Sequence, residues 1–160
     1  MILLNFETAI EGDSSVNGHE KWITCESLQF GVGRAVSSSG GGSDRETSNP
    51  SFSEVSLTKS MDKASVELMM QAAGGKSLGK CKIHFLQTGG TDVKGQVYLT
   101  IELGEALISS YSVSSGGERP SESISINYTT CSTEYNVFKD GKSVETIAMQ
   151  GWDLEKNEKL

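Results

Sequence analysis

No basic run appears anywhere in this 160-residue chain, and its formal net charge is −7. Phosphate binding needs clustered Lys and Arg, so general nucleic-acid affinity is disfavoured. Cysteine is scarce as well: Cys25, Cys81 and Cys131 are widely spaced, odd in number and form no CxxC, and only two histidines are present. That pattern fits neither a zinc cluster nor a disulfide framework. The three thiols read as small apolar residues in a reducing compartment. Aromatic residues make up 7% of the chain, too few for a sugar-binding platform. Residues 1–10 hold a short apolar run with no basic region, and Glu7 and Glu11 interrupt or follow it. This is neither a secretory signal nor long enough to span a membrane. The expectation is a soluble chain made in the cytoplasm that leaves the cell, if it does, by a signal-independent route.

Catalytic patterns are missing too. No GxSxG occurs, and the acidic residues show no pairing suited to acid–base work. Gly31-Val32-Gly33 leads to Arg34 and Ala35 and not into a helix, so it is no phosphate loop. Gly74-Gly75-Lys76-Ser77 ends a helix where a Walker motif would start one. His84, between Ile83 and Phe85, reads as a solvated strand residue facing with the lysines. His19 lies in the loop Asn17-Gly18-His19-Glu20, where a pH or capping role is open. No cofactor or metal site is expected.

What is present is an ordinary globular balance, 36% hydrophobic and 22% charged. It suits one domain over residues 1–160, able to bury roughly 70% of its unfolded surface. The dominant period is two, the strand period. Ile2, Leu4 and Phe6 alternate, with Ile10 on the same parity. Ile23 and Cys25 share one parity while Leu28 and Phe30 share the other, which predicts a β-bulge near Glu26 or Ser27. Gln29 then points away from the core. Residues 37–51 are rich in Ser and Gly and cannot pack a core; they read as a flexible linker or as an arm that orders against a neighbour. Val55, Leu57 and Lys59 share a parity. At Val66, Met69, Met70 and Ala73 the period becomes helical, with Ser65 as N-cap and Gly74-Gly75 as stop. The Met pair is expected to pack on the sheet. Alternating segments follow around Cys81, Ile83 and Phe85, around Val97 to Leu103, around Leu107 to Val113, and around Ile124, Ile126 and Tyr128. Asp140-Gly141 is the strongest hairpin signal. The outcome is about eight strands and one helix, a barrel or sandwich wetted on one side.

The residues also carry a family resemblance. Leu57-Thr-Lys-Ser-Met-Asp-Lys-Ala-Ser, followed by Leu68, resembles a strand ending in FTK, then DK(A/S)(S/T)P and a helix. Gly74-Gly75-Lys76 resembles that helix end. Tyr98-Leu-Thr-Ile-Glu-Leu with Leu107-Ile-Ser-Ser-Tyr, then Glu122 to Tyr135, resemble the strands that follow. Gly151-Trp152-Asp153-Leu154 resembles a closing GW(D/N) motif, and Ile10-Glu-Gly-Asp-Ser with His19 an opening GES…H. The ordered set is similar to the haemolysin-coregulated protein family, Hcp, of the bacterial type VI secretion system. Val66 departs from it, standing where the family often has Pro; Leu28 and Phe30 depart where Trp is common.

The resemblance implies a small β-barrel with a flanking helix, assembled as a hexameric ring. Rings stack into an inner tube that a contractile sheath propels and a spike protein caps. Members are secreted through the system and hold small effector proteins in the ring. On that reading Gln29 is the lumen residue for effector contact. Ser38, Gly41, Asp44, Arg45 and Glu46 form the ring-stacking loop. No nucleic acid and no membrane insertion are implied. The alternative from composition is a non-catalytic β-sandwich binding or adhesion module.

Overall fold

The computed structural model describes residues 1–37, 46–87 and 95–160, and only the backbone of Glu46. Fifteen strands and one helix lie within them. The chain runs β1 (Ile2–Phe6), β2 (Ile23–Cys25), β3 (Ser27–Gln29), β4 (Val32–Gly33), β5 (Val36–Ser37), β6 (Glu46–Thr47), β7 (Ser51–Phe52) and β8 (Val55–Ser60). Then come α1 (Ser65–Gly74), β9 (Cys81–Gln87), β10 (Gln96–Gly104), β11 (Leu107–Ser114), β12 (Ser121–Asn127), β13 (Thr130–Lys139), β14 (Lys142–Asp153) and β15 (Glu158–Lys159).

Two sheets carry the fold. One has seven strands, ordered β15-β14-β13-β10-β9-β1-β2; the other has four, ordered β11-β12-β8-β3. Two short ribbons, β4 with β7 and β5 with β6, complete the pairing. Eight of the strands span five residues or more, but they are not the expected eight: the stretch from Trp22 to Gly33 is divided among β2, β3 and β4, and that from Ser121 to Phe138 between β12 and β13. Among the described residues neither sheet closes on itself.

The sheets share one core because their inward parities are apolar. Leu4, Phe6, Ile83 and Leu103 from the larger sheet join Val55, Leu57, Ile124 and Ile126 from the smaller in a single buried cluster. Each such side chain contributes about 1.5–3 kcal/mol by leaving water. The parity switch after Cys25 has a different cause from the expected bulge. Ile23 and Cys25 pair with β1, whereas Ser27 to Gln29 pair with β8, so at Glu26 the chain leaves one sheet and enters the other. A change of sheet inverts which parity faces the shared core, just as an extra residue would.

The helix is where sequence placed it, but it presents another face. Ser65 and Leu68 are its buried residues, and Ala72 packs half-buried beside them. Val66, Met69 and Met70 are exposed, at 72%, 44% and 50%. The Met pair therefore does not pack on the sheet. Ala64, not Ser65, occupies the N-cap and offers no side-chain bond. Instead Ala64 N–H donates to Asp62 Oδ1 at 3.0 Å, and Asp62 N–H donates to Ser65 Oγ at 2.9 Å. The C-terminus behaves as expected, with Gly75 left-handed at φ 62° and its N–H donating to Gln71 O. Between β13 and β14, Asp140 and Gly141 both take positive φ, 51° and 75°, the requirement of a type I′ hairpin turn.

Candidate functional site

The smaller sheet buries one face and offers the other. On β8, Val55, Leu57 and Lys59 point inward, so Ser56 and Thr58 point out. β12 buries Glu122, Ile124 and Ile126, which turns Ser121, Ser123 and Ser125 outward. Antiparallel register sets these opposite one another: Ser123 beside Thr58, Ser125 beside Ser56, Ser112 of β11 beside Ser123. On the other side Ser27 faces Thr58 and Gln29 faces Ser56. Ser27 Oγ and Thr58 Oγ1 are 2.5 Å apart. The result is a wall of short hydroxyls that carries no charge on its central strands and no large apolar side chain there. Such a wall hydrogen-bonds water readily and grips other surfaces weakly. β3 and β11, its end strands, each pair on one side only among the described residues, as edge strands do, and α1 packs against β11.

Gln29 lies exposed on this wall, at the end of β3. Leu28 and Phe30 turn the opposite way and pack half-buried against the core. Past Gln29 the chain rises into an arm. Its base is paired, Val32 with Phe52 and Gly33 with Ser51, and pairing resumes at Val36 with Thr47 and Ser37 with Glu46. Ser53 Oγ accepts from Gly31 N–H at 2.8 Å, and Ser48 Oγ accepts from Ala35 N–H at 2.9 Å. The stretch read as linker or arm carries antiparallel pairing at its described ends. Of the five residues expected in the stacking loop, Ser38, Gly41, Asp44 and Arg45 lie outside the described residues, while the backbone of Glu46 belongs to β6.

Other surfaces are apolar. Val66, Met69 and Met70 expose one face of α1, and β14 adds Val144 and Ile147, exposed at 58% and 50%. Between the arm base and the larger sheet lies a groove of about 390 Å³ lined by Phe30, Phe52, Cys131 and Trp152.

Beneath the wall is a polar network that sequence reasoning missed. Lys59 is fully buried, and its Nζ donates to Glu122 Oε2 at 2.5 Å, Asp62 Oδ1 at 2.8 Å, Ser60 O at 2.9 Å and Ser65 Oγ at 3.3 Å. Glu122, equally buried, also accepts from Ser65 Oγ at 2.8 Å and from the Tyr111 hydroxyl. Burial works to raise the Glu122 carboxyl, but the bonds from Lys59, Tyr111 and Ser65 outweigh it and hold it below the usual carboxylate range. Burial and the bond to Glu122 push the Tyr111 phenol up to about 12. The network ties β8, β11 and β12 to the start of α1. The signal was available: Lys59 and Glu122 sit on the inward parity of two strands and carry opposite charge. Their pairing spans 63 residues and needs the register to be seen.

The histidines are also placed differently from expectation. His84 is not a solvated strand residue: it lies against His19 and Trp22, with His19 Nε2 and His84 Nδ1 2.7 Å apart. All three cysteines are buried and unbridged, and burial pushes the Cys25 thiol to about 12 and that of Cys131 to about 11. They are packing residues, with little thiolate to react. Among the described residues no three His, Cys, Asp or Glu side chains gather to hold a metal ion, and no helix is long and apolar enough to cross a membrane.

The described residues thus form a two-sheet β protein with a hydroxyl wall, sheet edges paired on one side and a paired arm base. Comparisons with known proteins supply the family. The family profile described as "Type VI secretion system effector, Hcp" matches residues 3–135. "Protein hcp1" of Pseudomonas aeruginosa is 35% identical over 108 residues, 65% of this chain and 65% of that protein. The match thus spans about two thirds of the curated relative's length. A solved structure described as that of a type six secretion system protein superposes with a TM-score of 0.90 at 26% identity, covering 99% of this chain and 98% of the other. Hcp1 from Salmonella typhimurium gives 0.77 at 18% identity over 99% and 97%, and so shows the fold alone. The chain belongs to the Hcp family of the type VI secretion system, a family of structural secretion proteins and not of enzymes.

Proposed function

We propose that this chain is a ring-building subunit of the type VI inner tube, closed as a hexamer, and that its two sheets wrap the shared core as a flattened barrel. The observation that carries the reading is the hydroxyl wall bounded by two edge strands. Edge groups invite further pairing, and cyclic symmetry ends that pairing at a fixed copy number. A ring closed through β3 and β11 lines its lumen with Ser and Thr, which lets cargo pass without sticking. Gln29 stands on that wall as the contact for small effectors. The paired strands β4 to β7 lead toward the next ring, and the loop at about 36–51 supplies the stacking contacts through Ser38, Gly41, Asp44, Arg45 and Glu46. Head-to-tail stacking does not close, so it grows a tube. The remaining partners are the sheath, the spike protein and small effectors, and the tube subunit leaves the cell through the system.

Expressed in a bacterium with an active type VI system, the chain should appear in the culture medium only when the sheath is intact. Equal appearance without a sheath would contradict the reading.

A further inference from the structure

We propose that His19 and His84 form a proton-operated latch that holds the loop of residues 11–22 on the outer face of the larger sheet at neutral pH and releases it in acid. This reading stands apart from the ring. On β9, Cys81 and Ile83 point into the core, so Lys82 and His84 point outward. Register places Leu3 of β1 and Thr100 of β10 on either side of His84. Leu3 is fully buried although it lies outside the shared core cluster, so this outer face is covered. The loop lies over it. Trp22 contacts both imidazoles with ring centroids 4.7 Å away, and His19 Nε2 meets His84 Nδ1 at 2.7 Å. The loop is braced internally: Gly12 N–H donates to Lys21 O, Ser14 N–H to Trp22 O, and Lys21 N–H to Ser14 O.

A nitrogen pair 2.7 Å apart needs one donor and one acceptor. When both rings are cationic, two N–H groups face each other, so the bond is lost and the charges repel. His19 is itself buried, at 8% exposure, and its Nδ1 has no hydrogen-bond partner among the described residues. The charged groups around His84 do not cancel this. Lys82 on its own strand opposes a second cation, whereas Glu102 on β10 and Glu20 beside His19 favour one. The same face carries Glu7 and Lys80 beside Trp22, with Glu134 opposite Thr100. Burial first, then His19 and Lys82, depress the His84 imidazole to about 4. An imidazole released to water returns to about 6.5. The closed loop therefore holds fully above pH 6.5, and its advantage falls progressively as pH drops from 6.5 toward 4.

The test is a fluorescence titration of a Trp152→Phe variant, in which Trp22 is the single tryptophan, from pH 7.5 to 4, with far-UV circular dichroism as the fold control. Trp22 emission should change reversibly with a midpoint between pH 6 and 4 while the strand signal persists. Adding His84→Gln, which keeps a hydrogen-bonding group but takes no proton, should abolish that change. The same transition with and without His84, or none in Trp152→Phe, would overturn the latch. Imidazole NMR of the unmodified protein decides independently of either variant. A His84 titration below pH 5, accompanied by faster exchange of the Gly12, Ser14 and Lys21 amides, supports the latch; titration near 6.5 with unchanged exchange refutes it.

Discussion

Replacing Lys59 by Met keeps the length and apolar stem of the side chain and removes only the ammonium. The structure dictates what is left behind: a fully buried Glu122 carboxylate with the Tyr111 and Ser65 hydroxyls but no cation, and Asp62 without its partner. Breaking one side of a buried pair costs about 3–5 kcal/mol, because the remaining charge stays desolvated. For a domain of this size that lowers the melting temperature by roughly 10 °C. The loss should depend on pH in a definite sense. In the native protein Glu122 is held below its ordinary range, so its contribution is complete above the unfolded value of about 4.5 and fades as pH falls through the folded one. In Lys59→Met the cation that lowered it is gone, burial dominates, and the carboxyl takes up a proton more readily. The difference between the two proteins should therefore be largest near pH 7.5 and shrink at pH 5. The double replacement Lys59→Met with Glu122→Leu should recover most of the loss. Urea and thermal unfolding at both pH values measure all three. A loss below about 1 kcal/mol, or one that grows toward pH 5, would refute the argument that an orphaned buried charge sets the cost.

Gln29→Arg should leave folding and ring formation intact but disturb cargo association, read by co-purification of effectors; failure to form rings would place Gln29 in an interface. Deleting residues 38–43 should spare monomer folding by circular dichroism and weaken ring stacking by sedimentation. Gly12→Ala should destabilise by about 1–3 kcal/mol in urea unfolding, since its Cβ would meet Trp22 O at 2.3 Å and Ile23 Cα at 2.5 Å. Met70→Lys should change monomer stability by less than about 0.5 kcal/mol because the side chain is exposed, whereas Leu68→Ala should cost about 2–5 kcal/mol.

β1, β8, β9, β10 and β12 were legible because each shows its apolar parity over several residues, whereas β14 shows none; the hairpin at Asp140-Gly141 was legible because only a few residue types accept two positive φ angles in succession. The helix was legible as an element but not as a face. Val66, Met69, Met70 and Ala73 form the better apolar stripe on paper. The helix turns away from it because Ser65 is drawn inward by Lys59 and Glu122, and Leu68 follows one turn later on the same side. Hydrophobic pattern cannot weigh a buried ion pair whose halves are 63 residues apart. The same limit applies at Glu26, where a parity switch reads alike whether the cause is a bulge or a change of sheet. His84 was assigned to water because the lysine beside it points that way, and only the folded loop brings His19 and Trp22 onto it. The hydroxyl wall was half visible: serines alternated along 121–125, but their alignment with Ser56, Thr58 and Ser27 across strands depends on register.

The central claim is that sheet edges close this chain into a ring. Negative-stain electron microscopy of the purified protein, with light scattering for its mass, tests it most directly. The account predicts uniform hollow rings at six times 17.1 kDa. A clean monomer at high concentration would contradict it and bring forward a β-sandwich binding module in its place.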